Sequence, residues 1–258
     1  MVRGLYAAGL GMTTQLKKMD IVSHNIANVG TAGYKKDSVA TQSFAEELMK
    51  RLHDPGLQIF GHAVNIGRIT SGVFVDTVFT NYSSGSIVKT DNVLDLSIAG
   101  DGFFAVDVAG PGGRTAEKYT RDGQFTLADG RLLTRDGAGV LGVNGPVTVP
   151  EGDIVIDPAG NIFVNSDYIN SLRMVDFEDR STLRSVKDNM FETTADSVFK
   201  PATGLVEQGS IESSNVNSAR EMIEMITVNR VYEANQRSIV TIDNTLNKAV
   251  NEIANKVR

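Results

Sequence analysis

The chain has 258 residues, of which 41% are hydrophobic and 22% are charged, so it is long enough to fold around a sizeable core. Its net charge of -6 argues against a broad basic surface for nucleic acid, and the absence of cysteine excludes disulfides and cysteine-based metal sites. No stretch of 18 apolar residues occurs, so no insertion into a membrane is predicted. The apolar run after Arg3 is diluted by glycine and lacks a cleavage site, so we expect no cleaved signal peptide.

The first segment has the pattern of an amphipathic helix. Leu5, Met12, Met19 and Ile26 recur every seven residues and therefore share one helical face. Three glycines in the first eleven residues weaken this helix, each by about 1 kcal/mol relative to alanine. We therefore expect the helix to need a partner, which the small residues allow to approach closely.

The stretch "SHNIANVGTAGYKK", residues 23–36, predicts a specified turn that ends this helix. Asn28 is expected to cap the helix, and Gly30 and Gly33 are expected to adopt left-handed or tight conformations. Tyr34 is expected to anchor the emerging chain against the helices. Beyond this turn the pattern is mixed. The segment "SFAEELMKRL", residues 43–52, is compatible with a short helix, and residues 67–89 look extended with glycine-rich breaks.

The middle of the chain, from about residue 94 to residue 186, is typical of short β-strands. The segment "LDLSIAG" alternates apolar and polar residues, and "FFAVDV" suits a buried or edge strand. Turn signals separate such segments, and they occur at Asp101-Gly102, Asp122-Gly123, Asp129-Gly130, Asp136-Gly137, Asn144-Gly145 and Pro158-Ala159-Gly160. We predict a compact meander or a small barrel of hairpins.

The last segment carries an apolar heptad, which predicts a coiled-coil helix. Asn235 would be a polar interruption of the seam, a device that can set the register of pairing. Residues 218–221 fit a capping box at the helix start, although Asn217 is an equally good N-cap. The heptad positions are Met225, Val228, Tyr232, Asn235, Ile239, Ile242, Leu246, Ala249 and Ile253.

These patterns together predict an α+β fold, in which the N- and C-terminal helices pair as a coiled coil around a β-rich middle domain of short strands and hairpins. Any apolar helix face that remains unpaired predicts association with other copies. We predict five segments: residues 1–34 as the N-terminal helix and turn, which pairs with 217–258, residues 35–90 as an extended connector, residues 91–190 as the β-rich domain, residues 191–216 as a return connector, and residues 217–258 as the C-terminal coiled-coil helix.

We find no pattern that indicates catalysis, cofactor binding or a metal site. The only histidines, His24, His53 and His62, lack metal-ligand spacing, and the Asp-Gly pairs lack the alternating oxygen ligands of a calcium loop. Nucleophile-elbow, dinucleotide and Walker A motifs are also missing. We therefore predict a protein that is not an enzyme and that uses no cofactor and no metal.

Three matches in the right order resemble the rod and hook family of bacterial flagellar axial proteins. Ala27-Asn28, Thr31 and Gly33-Tyr34-Lys35 match the family motif A-N-x-x-T-x-G-(F/Y)-(K/R). The segment "DNVLDLSIAGDGFFAV", followed by "YTRDGQF", is similar to the opening of the family's β domain. Residues 209–237, "GSIESSNVNSAREMIEMITVNRVYEANQR", fall in its C-terminal pattern. Val93 and Ser218 stand where relatives commonly carry proline, which leaves the assignment intact.

The resemblance implies a structural subunit of the flagellar basal-body rod that polymerises helically through its terminal helices and transmits motor torque to the hook. Implied partners are further copies in a helical homo-oligomer, other flagellar rod and hook proteins, and the flagellar type III export apparatus. The implied location is the basal body of the bacterial flagellum, reached by export across the cytoplasmic membrane. The candidate assembly residues are Leu5, Met12, Met19, Ile26, Asn28, Thr31, Gly33, Tyr34, Asn215, Met222, Met225, Tyr232, Asn235, Ile239, Ile242, Leu246 and Ile253.

Two alternatives remain open from the sequence. A hook or hook-junction protein is also a structural axial subunit, but it would show a second long β insertion. A wall-binding or wall-active module that uses rod-like termini for targeting would need an additional catalytic segment.

Overall fold

The computed structural model describes residues 2–45, 47–51, 64–70, 72–109 and 115–256. Helix α1 spans Val2–Ala27, helix α2 spans Ser218–Lys256, and strands occupy most of the described chain between them. The predicted α+β fold with helical ends and a strand-rich middle is confirmed. Helix α2 begins directly after Asn217, which favours Asn217 over Ser218 as the residue at the N-cap position.

The strands are short, as their turn-rich sequence predicts, and few are longer than six residues. In chain order they are β1 Asp37–Ser43, β2 Glu47–Arg51, β3 Val64–Ile69, β4 Val73–Thr80, β5 Ile87–Lys89, β6 Leu96–Ala99, β7 Phe103–Ala109, β8 Thr115–Thr120, β9 Phe125–Ala128, β10 Arg131–Thr134, β11 Gly139–Gly142, β12 Gly145–Pro146, β13 Ile154–Ile156, β14 Asn161–Val164, β15 Asp167–Ser171, β16 Met174–Phe177, β17 Leu183–Val186, β18 Met190–Thr193, β19 Phe199–Pro201, β20 Leu205–Gln208 and β21 Ser210–Glu212.

The chain divides into two compact units, each built from segments that are distant in sequence. The helical unit comprises Met1–His24, Ser38–Phe79 and Ala219–Arg258. The β-rich unit comprises Asn25–Asp37 and Thr80–Ser218. The division into five consecutive segments that the sequence suggested stays a proposal.

Within the helical unit, α1 and α2 lie against each other in antiparallel orientation. A Cβ atom added to Gly4 would lie 3.3 Å from Cδ1 of Ile242, and one added to Gly11 would lie 2.9 Å from Nδ2 of Asn235. One heptad forward along α1 therefore corresponds to one heptad backward along α2. The predicted close approach is confirmed at these two glycines, whereas a Cβ at Gly9 would have no neighbour within 4 Å.

The predicted heptad of α2 is the stripe that packs within the chain. Between Ala219 and Asn251, nine side chains are buried or half-buried, and the others are exposed. The nine are Glu221 and the eight heptad positions from Met225 to Ala249. This agreement follows from the 3.6-residue period of the helix, which keeps positions three and four apart on one face. The side chain of Ile253 lies outside the described part of the chain.

The interpretation of residues 43–52 as a short helix is wrong. Strand β2 pairs with β3 in antiparallel register, with Glu47 opposite Ile69 and Arg51 opposite Val64. The two strands supply each other's backbone hydrogen bonds, and this distant pairing overrides the helix propensity of Glu, Leu, Met and Lys. The expected extended structure of residues 67–89 is confirmed by the end of β3 and by β4 and β5. His53 and His62 lie outside the described residues.

The β-rich unit consists mainly of one ten-stranded sheet of antiparallel pairs. Its path runs β17-β18-β8-β7-β11-β10-β9, with β12 paired to β11, β16 paired to β7 and β19 paired to β16. Strands β13, β14 and β15 form a second antiparallel sheet, and β20-β6 and β21-β5 form two separate pairs. Consecutive strands β9, β10 and β11 form the predicted meander, and the path of the described strands is open and not closed into a barrel.

Three apolar clusters of described residues form the core of this unit, and the two largest contain aromatic rings. In the smaller of these two, aromatic rings meet edge to face or tilted, as with Phe103 and Phe191, whose centroids are 5.6 Å apart. In the larger one, Phe104 and Phe125 pack at 5.2 Å. The larger cluster comprises Leu96, Ile98, Phe104, Phe125, Leu132, Val140, Val147, Val149, Ile156, Ile162, Val164, Leu172 and Val206.

The turn signals of the sequence were correct at some positions and wrong at others. Asp129 and Gly130 have φ values of 50° and 71° and close the two-residue hairpin of β9 and β10, as predicted. Asp122-Gly123 is no hairpin turn, because the Gly123 backbone instead approaches the backbone of Leu96 so closely that no Cβ would fit. The hairpin of β14 and β15 turns at Asn165 and Ser166, which the sequence analysis missed because no glycine marks it.

Candidate functional site

The turn that follows α1 is built on Gly33. Helix α1 ends at Ala27, and the hydroxyl of Thr31 donates a hydrogen bond of 3.2 Å to Oδ1 of Asn28. Gly33 has a φ of 65°, and its Cα lies directly against the backbone of Arg121. The left-handed conformation predicted for Gly33 is confirmed. Gly30 takes the other form of the prediction, a tight turn at residues 28–30, since its φ is not positive and a Cβ there would meet nothing within 4 Å.

Tyr34 holds the last turn of α1 to the following segment through Asn25. The Tyr34 hydroxyl donates to Oδ1 of Asn25 over 3.1 Å. The same oxygen accepts the amide of Asp37 at 3.1 Å, and Nδ2 of Asn25 donates to the carbonyl of Asp37 at 2.9 Å. The predicted anchoring role of Tyr34 is therefore confirmed. Asn25 is fully buried, and its role as the partner of Tyr34 was not predicted from the sequence.

Asn215 joins the C-terminal motif to the N-terminal motif. Its Oδ1 accepts a hydrogen bond from the backbone amide of Lys36 at 2.8 Å, and its backbone amide donates to the carbonyl of Tyr34. Its Nδ2 donates to the carbonyls of Asn81 at 2.8 Å and Ser83 at 3.0 Å. The structure thus brings the candidate residue Asn215 to the candidate pair Gly33-Tyr34, from which it is about 180 positions distant in the chain.

A buried ion cluster, formed by Lys35, Arg121 and Glu212, lies at this junction. Nζ of Lys35 is 2.6 Å from Oε1 of Glu212, and a terminal nitrogen of Arg121 is 3.1 Å from Oε2. Their exposed fractions are 3%, 2% and 1%. The Glu212 carboxylate also accepts the amide of Gly85 at 2.8 Å. We call these three residues the Glu212 cluster.

Burial acts on both cations of the cluster. It lowers the pKa of Lys35 and that of Arg121, because each charge has lost water, and the negative charge of Glu212 opposes both shifts. Backbone carbonyl groups are further partners of the two cations. Arg121 donates to the carbonyls of Ile98 and Gly100, and Lys35 donates to the carbonyl of Ser83. The guanidinium carbon of Arg121 is also 5.5 Å from the centroid of the Phe103 ring.

The importance of Arg121 and Glu212 was not predicted from the sequence, and Lys35 was assigned no role beyond the motif. All three lie inside the quoted motifs, so the signal was present as charged residues in otherwise strand-like segments. Ser210 and Glu212 are buried on alternate positions of β21, which is the period of a strand. Position alone, however, does not show that a glutamate will meet two cations.

Other candidate assembly residues lie along the helices. On α1, the side chains of Leu5, Met12, Met19 and Ile26 are half-buried. On α2, Met222 lies outside the packed heptad stripe and is 53% exposed. It belongs to an exposed apolar patch with Ile223 and Ile226, which are 67% and 55% exposed and which the sequence analysis missed. We call these three residues the α2 patch.

In the part of the chain that the structure describes, no group of three or more histidine, aspartate or glutamate side chains is arranged to hold a metal ion. Neither of the described helices has an apolar stretch long enough to cross a membrane.

Terminal helices that pack along one stripe and leave a second apolar patch exposed are typical of structural subunits that assemble with other chains. Three family models match parts of this chain. They are described as flagella basal body rod protein, flagellar hook protein FlgE/F/G D1 domain, and flagellar basal body rod FlgEFG protein C-terminal, and they match residues 5–35, 97–164 and 207–252.

Relatives match over nearly the whole length. The flagellar basal-body rod protein FlgG of Buchnera aphidicola subsp. Schizaphis graminum is 32% identical, over 96% of this chain and 98% of the relative. FlgG of Bacillus subtilis is 31% identical over 97% and 99%, and the rod protein FlgF of Caulobacter vibrioides is 31% identical over 91% of each chain. The chain belongs to the flagellar basal-body rod protein family.

Proposed function

We propose that this chain is a structural subunit of the flagellar basal-body rod that polymerises helically through its terminal helices and transmits motor torque to the hook. The observation that carries the mechanism is α2. Its heptad stripe is packed within the chain, while the α2 patch leaves Met222, Ile223 and Ile226 available to a neighbouring copy. Polymerisation would bury this apolar surface, at about 25 cal/mol for each Å² removed from water.

The contact that we infer is heterologous. The α2 patch of one copy meets a different surface of the next copy. Such head-to-tail contacts build an open helical filament when the rotation between neighbouring copies does not close into a ring. Repeated helix contacts of this kind give a filament with large contact area along its axis. Stiffness against twisting, which torque transmission requires, follows from that area and from the dense packing of helix interfaces.

The remaining parts of the proposal follow from family membership. We place the protein in the basal body of the bacterial flagellum, in contact with further copies of itself and with other rod and hook proteins. We infer export through the flagellar apparatus without a cleaved signal peptide. The role is mechanical and not enzymatic. Near-complete coverage of rod proteins named FlgG and FlgF supports this reading over that of a hook protein.

The test is deletion of the gene in its source cell, followed by electron tomography of the basal bodies. A shortened rod without a hook is the expected result, and the point at which the rod stops would show which part this subunit builds. Complete rods and hooks in the mutant would overturn the proposal.

Complementation with Ile226→Glu tests the α2 patch itself. A charge at this exposed position should leave the fold of the free chain unchanged, as judged by circular dichroism, and should prevent rod growth, because the carboxylate would be buried in the contact between copies. Complementation with Ser238→Glu, an exposed polar position about three turns further along α2 and on a different face from the α2 patch, is the matched control for added charge. Normal rods with Ile226→Glu would exclude the α2 patch from the interface.

A further inference from the structure

Three separate segments of the β-rich unit contact Glu212. The carboxylate binds the side chains of Lys35 and Arg121 and the backbone amide of Gly85. The backbone carbonyl of Glu212 accepts a hydrogen bond from the amide of Gly33 at 2.7 Å. Glu212 itself lies at the end of β21, six residues before α2 begins. A single residue therefore ties the segment that leaves α1 to the segment that enters α2.

The bonds that hold this junction together are mostly polar. Among residues 28–37 and 210–216, the buried apolar side chains are those of Ala32, Tyr34 and Val216. The other links are hydrogen bonds, which include those of Asn215 and the bond from Nδ2 of Asn189 to the carbonyl of Ala32 at 2.9 Å. A net hydrogen bond adds only about 1 kcal/mol, because water competes for both partners when the bond opens.

The Glu212 cluster also gains hydration when it opens. Burial of ions costs several kcal/mol for each charge, and the attraction within the cluster approximately offsets this cost. The apolar clusters in the core of the β-rich unit gain no such hydration energy on opening, because exposing apolar side chains to water is unfavourable. The junction is therefore the part of the β-rich unit that should open first, at a lower free energy than the sheet.

We propose that residues 28–37 and 210–216 form a latch, which opens as one cooperative unit while the ten-stranded sheet stays folded, with Glu212 as the residue that couples its two halves. Because α1 ends at Ala27 and α2 begins at Ser218, the latch contains the segment that follows α1 and the segment that precedes α2. Its opening releases these two segments in a single step. This inference concerns the free chain and stands independently of the role in the rod.

Hydrogen exchange of the full-length chain tests the latch. Three amides report on it, those of Gly33, Lys36 and Asn215, since each donates a hydrogen bond across the junction. In the wild-type chain we expect these amides to exchange with similar protection, which is at least tenfold lower than that of the amides pairing β7 with β8. Protection equal to that of the sheet, or three unrelated values, would overturn the proposal.

Substitution of the coupling residue sharpens the test. Glu212→Gln keeps the size of the side chain but leaves two buried cations without their counter-charge, so we expect the three latch amides to exchange tenfold or more faster, together, while the amides between β7 and β8 keep their rates. The matched control is Glu207→Gln on the neighbouring strand β20, where the side chain is exposed and no latch amide should change.

A double variant separates a charge effect from simple damage. In Glu212→Gln combined with Lys35→Met, one of the two uncompensated cations is removed, so the latch amides should regain part of their protection. Faster exchange of the sheet by the same factor as the latch would show that both belong to one unit, and would overturn the proposal. Unchanged latch amides in Glu212→Gln would also overturn it.

Discussion

Gly33 combines two properties that exclude any larger residue. Its φ is 65°, a left-handed conformation that costs a residue with a side chain about 1 kcal/mol, and a Cβ at this position would overlap the backbone of Arg121. We expect Gly33→Ala to lower the free energy of unfolding of the β-rich unit by about 2–4 kcal/mol, since both the strain and the overlap must be relieved. Urea denaturation followed by tyrosine fluorescence would measure the change.

The matched control for this prediction is Gly30→Ala, three residues earlier in the same turn. A Cβ at Gly30 would meet no atom within 4 Å, and its φ is not positive. We expect the unfolding free energy of this variant to stay within about 0.5 kcal/mol of the wild type or to rise slightly, because alanine restricts the unfolded chain. An equal loss of unfolding free energy in both variants would show that the conformation of Gly33 does not cause the destabilisation.

Asp122 predicts a specific dependence of stability on pH. Burial raises the pKa of its carboxyl to about 6, and the amide of Gln124 donates to its Oδ1 at 2.9 Å. The folded chain therefore binds this proton more tightly than the unfolded chain, so the contribution of Asp122 to stability falls as the pH rises from about 4 to about 6 and stays low above that.

Asp122→Asn should remove this dependence while it keeps an oxygen for the Gln124 amide. We expect the variant to be more stable than the wild type by about 1–3 kcal/mol at pH 7.5 and to lose much of that advantage at pH 4.5. Urea denaturation of both proteins at the two pH values gives the comparison. An advantage that is the same at both values would mean that the carboxyl of Asp122 does not titrate as described.

At the scale of the helix pair, two glycines of α1 provide a matched comparison. Alanine should favour the helix at either position by about 0.5–1 kcal/mol. At Gly9 the new Cβ meets no atom within 4 Å, whereas at Gly11 it would lie 2.9 Å from Nδ2 of Asn235 and force that side chain to move. Thermal melting of the assembled protein, followed by circular dichroism at 222 nm, should show a higher midpoint for Gly9→Ala than for Gly11→Ala. The reverse order would contradict the antiparallel register.

The elements themselves show which signals in a sequence are dependable. The heptad of α2 was predicted position by position, because helical periodicity is a local property that thirty residues repeat. The strand β2 was mistaken for a helix, since its local propensity is helical and its partner β3 follows in a separate segment. Asp-Gly marked the hairpin at residues 129–130 correctly, but at residues 122–123 it marks a close approach to Leu96, which no local pattern records.

The whole molecule raises the question of when the terminal helices form. The glycines of α1 weaken it, and helices in proteins gain most of their stability from tertiary packing and not from intrinsic propensity. We therefore expect the free monomer to contain less helix than the assembled polymer. Circular dichroism at 222 nm, compared at equal protein concentration before and after assembly, would measure the difference. Equal helicity in the two states would show that both helices are already formed in the free chain.

The sequence by itself determined the class of fold, the two helices and their apolar stripes, the left-handed Gly33 and the family motifs, because each of these depends on residues close together in the chain. Only the tertiary structure decided the Glu212 cluster and the order of the ten-stranded sheet. Lys35 and Glu212 are separated by 177 positions, and Arg121 and Glu212 by 91. Such contacts depend on how every intervening strand pairs, and the side chains alone do not reveal which cation a buried carboxylate will meet.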